Sequence, residues 1–169
     1  IGDDTPTPAH ARFRPWRVVM VTAIGLTLAV LPLAALAWSG GWNATLTQMA
    51  WFFTKAALLT FGGAYAVLPY VYQGAVETYA WLTPAQMIDG LALGETTPGP
   101  LIMVVAFVGF VGGWAQEVFG PDNLLSAGIA GASVATYFTF LPSFVFILVG
   151  GPLVEATHGD LRFTAPLTA

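Results

Sequence analysis

Lys55, Glu95 and the glycines at 62, 63 and 99 are the residues of this chain whose types and spacing could do chemistry. Lys55 is the only basic residue between Arg17 and Arg162, and it stands seven residues before Gly62, two turns along one helix face. A cation inside an apolar segment marks a functional site by default. A lysine close to a helix end can equally snorkel to the membrane surface, and Lys55 is four residues into its apolar run. Glu95 closes an apolar stripe at the C-terminal end of its helix, where the dipole and desolvation both disfavour its charged form. It is either a proton carrier or a glutamate at the membrane surface.

The glycines and prolines suit a different task. Pro98-Gly99-Pro100 ends one helix and starts another, and Gly99 allows a ligand close to the backbone. The N–H groups of Leu101, Ile102 and Met103 are then free in the first turn. With the positive end of the macrodipole, they form an anion site that needs no charged side chain. Apolar segments are interrupted three times, by FGGAY at 61–65, TTPGP at 96–100 and FLPS at 140–143. Broken backbone in hydrocarbon must face protein or a water-filled cavity, and many secondary transporters build substrate sites on such breaks. Thr60, Thr96 and Thr97 offer hydroxyls to an oxyanion or to their own backbone. The tyrosines at 65, 70, 72 and 79 read as packing or interface residues.

These residues need a membrane scaffold to position them. Of 169 residues 56% are hydrophobic and 8% charged, too few charges to coat a soluble surface. Val18 to Trp38 carries no charge and is long enough to span a bilayer core. A secretory signal would be shorter and end in a small-residue cleavage site. Trp51 to Tyr72 is a second apolar segment, broken at Gly62-Gly63 and again at Pro69. Thr83, Pro84 and Gln86 predict a capped helix start, with Leu82 and Met87 as its hydrophobic staple. In that helix Ile88, Leu91, Ala92 and Glu95 share one face. It ends near Thr96, and another helix runs from Pro100 through Trp114. Residues 115–123 form a loop. The charge-free run 123–154 exceeds one span, with a kink or break expected at Leu141-Pro142-Ser143. Gly109 with Gly113, and Gly128 with Ala132, predict close helix packing. The fold class is thus an all-α integral membrane bundle with several spans and helices broken at the FGG and PGP motifs.

No cysteine is present, and His10 and His158 lie far apart outside the apolar runs. Disulfides, thiolate chemistry and a metal centre are therefore not expected, and nothing resembles a nucleotide loop or a nucleophile with its base. No enzyme, cofactor or nucleic-acid partner is indicated; the partners expected are the lipid bilayer and an oxyanion. Arg12, Arg14 and Arg17 place the polar segment 1–17 in the cytoplasm as a linker. Ile1 is not a methionine, and FTAPLTA reads like the opening of another apolar segment, so a longer protein is expected.

The order FGGAYAVLPYV, WLTPAQMIDGLALGETTPGPLIMV, FVGF, FLPSFVFILVGGPL resembles the chromate ion transporter family over about two-thirds of the chain, from Trp51 to roughly Leu153. Each motif is weak alone; their order and spacing are specific. The resemblance implies a bacterial inner-membrane carrier that exports chromate, built from two homologous halves each bearing FGG and PGP. It identifies residues 44–169 as a second half truncated at its C-terminus, preceded by an extra span at 18–38, and implies the other half or a second copy as partner. The candidate substrate residues are Lys55, Gly62, Gly63, Thr97, Gly99, Leu101 and Ile102, with Glu95 for proton coupling. Family members often carry a third glycine at the position of Ala64 and a glutamine at that of Ala106. Chromate and sulfate are both tetrahedral dianions, so substrate identity rests on the resemblance. The alternative is a non-transporting scaffold that packs a partner through its small-residue faces.

Overall fold

The computed structural model describes residues 15–59, 67–96 and 100–157. They form helices α1 (Pro15–Gly40), α2 (Thr45–Leu59), α3 (Leu68–Tyr72), α4 (Pro84–Glu95), α5 (Pro100–Ala115) and α6 (Leu124–Thr157). A π-helical stretch, Gln73–Thr78, continues α3, and a 3-10 turn, Pro121–Asn123, leads into α6. Among the described residues there is no strand.

Two helices, over Trp16–Gly40 and Pro121–Gly151, are long and apolar enough to cross a membrane. Only 6% and 11% of their most apolar windows is buried. The core helix of a soluble protein would be mostly covered, whereas Leu31, Trp38, Phe144 and Ile147 here are each more than half exposed. An apolar exterior of this kind is matched by lipid, and the molecule is a helical membrane protein.

Helix α1 runs on through Pro32. Proline has no N–H for the carbonyl four residues back, so the Leu28 oxygen is released from the helix ladder. The Tyr137 hydroxyl of α6 donates to it at 3.0 Å. One proline thus creates the acceptor that ties the two long helices together. A kink or break was expected at Leu141-Pro142-Ser143, and α6 continues through Pro142 as one helix of 34 residues, so there is no break there. A proline costs about 3 kcal/mol in a helix, while each unpaired backbone group in hydrocarbon costs several, so continuing is cheaper than breaking.

Helix α4 begins as its sequence predicts. The Thr83 N–H donates to Gln86 Oε1 at 2.9 Å, and the Gln86 N–H donates to Thr83 Oγ1 at 3.3 Å. Leu82 and Met87 are both buried in the core cluster. The buried face of α4, however, is Met87, Gly90 and Gly94. Ile88, Ala92 and Glu95 are exposed while Leu91 is half-buried against the core, so the apolar stripe points mostly outward. In lipid, large apolar side chains gain nothing by turning inward, and small residues take the helix contacts because they let backbones approach. Gly90 accordingly lies against the ring of Phe107.

The α5–α6 pair follows the same logic. A Cβ on Gly109 would strike the carbonyl of Gly131 and the Cβ of Ala135; one on Gly113 would strike the carbonyl of Ala127. The α6 partners are therefore Ala127, Gly128, Gly131 and Ala135, and Gly128 also receives the Phe110 ring. The close packing expected at Gly109, Gly113 and Gly128 is thus present, with Gly131 and Ala135 adding to it.

Candidate functional site

Lys55 is half-buried on α2, and its Nζ lies 5.7 Å from the ring centroid of Trp51, one turn earlier. The indole face offers the cation a partner worth about 0.5–2 kcal/mol, more as water is excluded. Glu95 is exposed at the last turn of α4, and Lys55 and Glu95 form no ion pair with each other. The Thr96 hydroxyl donates to the Leu93 carbonyl at 2.9 Å, which commits it to the end of α4.

Helix α5 begins at Pro100, so Leu101, Ile102 and Met103 occupy its first turn. Their N–H groups have no acceptor inside the helix. Of the other proposed ligands, Gly62, Gly63, Thr97 and Gly99 lie outside the described residues, as do Thr60, Tyr65 and Pro98. The breaks read at FGG and PGP fall in those segments.

The described helices on either side are nonetheless fixed by aromatic packing that the motifs did not announce. Phe52 of α2 stacks on Tyr70 of α3, with centroids 4.9 Å apart and planes at 9°. Its edge meets Tyr79 at 5.8 Å and Trp81 at 5.6 Å. Tyr79 and Trp81 stack on each other at 4.6 Å. Gly74 lets the π-helical stretch come against the Phe52 ring, a place no side chain could share. Ala80 follows with φ 50, an uncommon left-handed value for alanine, and its carbonyl accepts from Gln116 Nε2 at 3.3 Å. Wider π turns concentrate at functional sites. Gly74 was the only sequence sign of this one.

Chemically, the described residues offer one aromatic-shielded cation, one exposed carboxylate and a 16-residue helix that begins at Pro100. Among the described residues no group of three His, Asp or Glu is placed to bind a metal.

Comparison with known proteins gives the arrangement a family. The chain is 36% identical over 107 residues to the chromate transport protein of Cupriavidus metallidurans, covering 63% of this chain and 23% of that one. It is 41% identical over 111 residues to the chromate transport protein of Pseudomonas aeruginosa, covering 66% and 23%. It is 34% identical over 114 residues to a probable chromate transport protein of Synechococcus elongatus, covering 68% and 25%. The aligned region thus spans about a quarter of each of these relatives. No solved structure matches. The chromate transporter family model matches residues 47–169, from the first turn of α2 onward, and the chain belongs to that family, one of transporters and not of enzymes.

Proposed function

We propose that this chain is the oxyanion-binding part of a secondary transporter that exports chromate across the bacterial inner membrane. The observation that carries the reading is the family match over 47–169, which takes in both glycine-bearing segments and the helix that opens at Pro100. The dianion docks on the free N–H groups at the start of α5, with Gly62, Gly63, Thr97 and Gly99 allowing close backbone approach and Lys55 supplying charge. Glu95 exchanges the coupling proton. The polar segment 1–17 is a cytoplasmic linker, α1 is an added span, and the matched segment works with a homologous half or a second copy.

The scaffold reading loses its main support. Its small-residue faces on α5 and α6 are spent on each other within the chain, at Gly109, Gly113, Ala127 and Gly131. The test uses Gly62→Val and Gly99→Val in the full-length protein, which deny the backbone its freedom and crowd an approaching anion. Both are expected to insert normally and to lose chromate export and resistance. Wild-type resistance in both variants at normal expression would sink the break-site model. Sulfate competition for chromate uptake in inverted vesicles then tests selectivity, since backbone donors alone separate the two dianions poorly.

A further inference from the structure

We propose that the chain holds one zwitterionic phospholipid at the Gly40 end of α1, with an acyl chain along α1 and α6 and the phosphate at the start of α2. The site follows from the membrane setting of the two long helices and is independent of the transported substrate.

Two cavities meet at that end. A groove of about 700 Å³ runs between Pro32, Ala35 and Leu36 of α1 and Val134 and Phe138 of α6. A second cavity, of about 300 Å³, lies between the end of α1, the first turn of α2, and Val118 and Phe119 after α5. Leu36 and Ser39 stand on the walls of both, so one opens beside the other. Each is in the size range of small-molecule sites, about 300–1,000 Å³.

The two cavities differ in what they leave unpaired. In the groove the Ser133 hydroxyl donates to the Ile129 carbonyl at 2.8 Å, and the Tyr137 hydroxyl to the Leu28 carbonyl at 3.0 Å. Ser39, where the cavities meet, donates to the Leu36 carbonyl at 3.2 Å. With its hydroxyl donors already spent, the groove presents a hydrocarbon wall that suits an acyl chain. The smaller cavity is the reverse. Thr47 stands on its wall, 1% exposed, and its Oγ1 has no hydrogen-bond partner among the described residues. A threonine inside a helix bonds the carbonyl four residues back, as Thr54 does at 2.7 Å. For Thr47 that carbonyl belongs to Asn43, which precedes α2.

The first turn of α2 adds backbone donors. The Gln48 N–H is bonded to the Ala44 carbonyl at 2.9 Å, whereas the N–H groups of Thr45, Leu46 and Thr47 come before the ladder begins. Three N–H groups, the positive end of a 15-residue helix and one buried hydroxyl make a donor set for a phosphate.

Depth and charge decide the source of that phosphate. Trp38 and Trp42 are both more than half exposed at this end, as tryptophan is at headgroup level. A phosphate bound there, with an apolar groove beside it, is a lipid's. Among the described residues neither cavity wall carries a charged side chain, and Glu117, next to Val118 in the chain, is exposed. A net-negative headgroup finds no cation on these walls, whereas a zwitterionic one brings an ammonium for the carboxylate.

The full-length protein, delipidated in detergent, can be followed by native mass spectrometry against phosphatidylethanolamine, phosphatidylglycerol and diacylglycerol with the same acyl chains. One phosphatidylethanolamine per chain is expected, bound about tenfold or more tighter than diacylglycerol, which has no phosphate, and tighter than phosphatidylglycerol. Thr47→Val is expected to weaken phosphatidylethanolamine about tenfold, the worth of one hydrogen bond to a charged group, while Thr47→Ser keeps it. Ala35→Trp, at an exposed position, fills the groove and is expected to lose the lipid while the protein elutes normally on size exclusion. Binding that passes one lipid per chain with no headgroup preference would be ordinary solvation by the bilayer and would overturn the site. Displacement by inorganic phosphate, with Ala35→Trp at wild-type affinity, would make it a site for free oxyanions and overturn the lipid. Wild-type affinity in both Thr47→Val and Ala35→Trp would overturn it as well. Lipid retention is scored without chromate, so a wrong lipid site and a wrong substrate give different failures.

Discussion

At the scale of single residues, local chemistry was legible where its partners lie within one turn. The Thr83–Gln86 capping box could be read from four letters and is present with both bonds. Thr83→Ala removes one of them and is expected to cost about 1 kcal/mol, read as a lower unfolding midpoint in detergent. Lys55 was singled out as a lone cation, but its Trp51 partner was not, although the two sit at the i, i+4 spacing of helix neighbours. Thr47 gave no sequence signal at all. It is 1% exposed, and its Oγ1 has no hydrogen-bond partner among the described residues. Thr54 and Thr139, by contrast, donate to the carbonyls four residues back at 2.7 Å. A buried unsatisfied hydroxyl costs about 1–3 kcal/mol, so Thr47→Val is expected to hold or raise stability. A loss of more than about 1 kcal/mol would show that the hydroxyl has a partner in the membrane-embedded protein.

At the scale of elements, the bounds of α4 and α5 could be read, whereas the start of α2 at Thr45 and the π-helical stretch Gln73–Thr78 could not, nor could the direction of each face. The apolar stripe of α4 was visible at helical spacing, yet it faces mostly outward, because the pattern that points to the core in water points to lipid in a membrane. The α5–α6 contact was anticipated from Gly109 and Gly113, but its register on α6 depends on which residues can approach a backbone, and that is set in three dimensions. Gly109→Val has nowhere to place its side chain except into the Gly131 carbonyl and Ala135, so the helices must part. Overpacking of this kind costs about 1–3 kcal/mol or more, and loss of the folded protein on size exclusion is expected. Gly150→Ala, where a Cβ meets open space, is the control and should change nothing. Tyr137→Phe is a milder test of the α1–α6 join. It strips the Leu28 carbonyl of its donor, and a membrane hydrogen bond of this type averages about 0.6 kcal/mol, so a small but measurable destabilisation is expected.

At the scale of the whole molecule, what remains to be set is orientation, because it decides which compartment each end of the two long helices faces. Trp16 and Trp38 are both strongly exposed and lie 22 residues apart on α1, about 33 Å, close to the ~30 Å separating the two interfaces where tryptophan prefers to sit. They fix how deep α1 sits but not which way up. Acidic residues have little influence on that choice, so Glu117 and Asp122 at the other end do not decide it. The positive-inside rule gives that choice to Arg12, Arg14 and Arg17, since the connections 41–44, 79–83 and 116–120 hold no basic residue to compete with them. Replacing all three by Gln is expected to let part of the population insert inverted, so that Ser39→Cys is labelled partly from outside and partly only after permeabilisation. Wild-type sidedness in the triple variant would mean that orientation is imposed elsewhere. The same preparation tests transport, since inverted molecules present α5 to the wrong compartment. Chromate resistance should then fall in proportion to the inverted fraction while total membrane-inserted protein stays constant. Resistance that held steady across the inverted fraction would mean that neither face is privileged for loading.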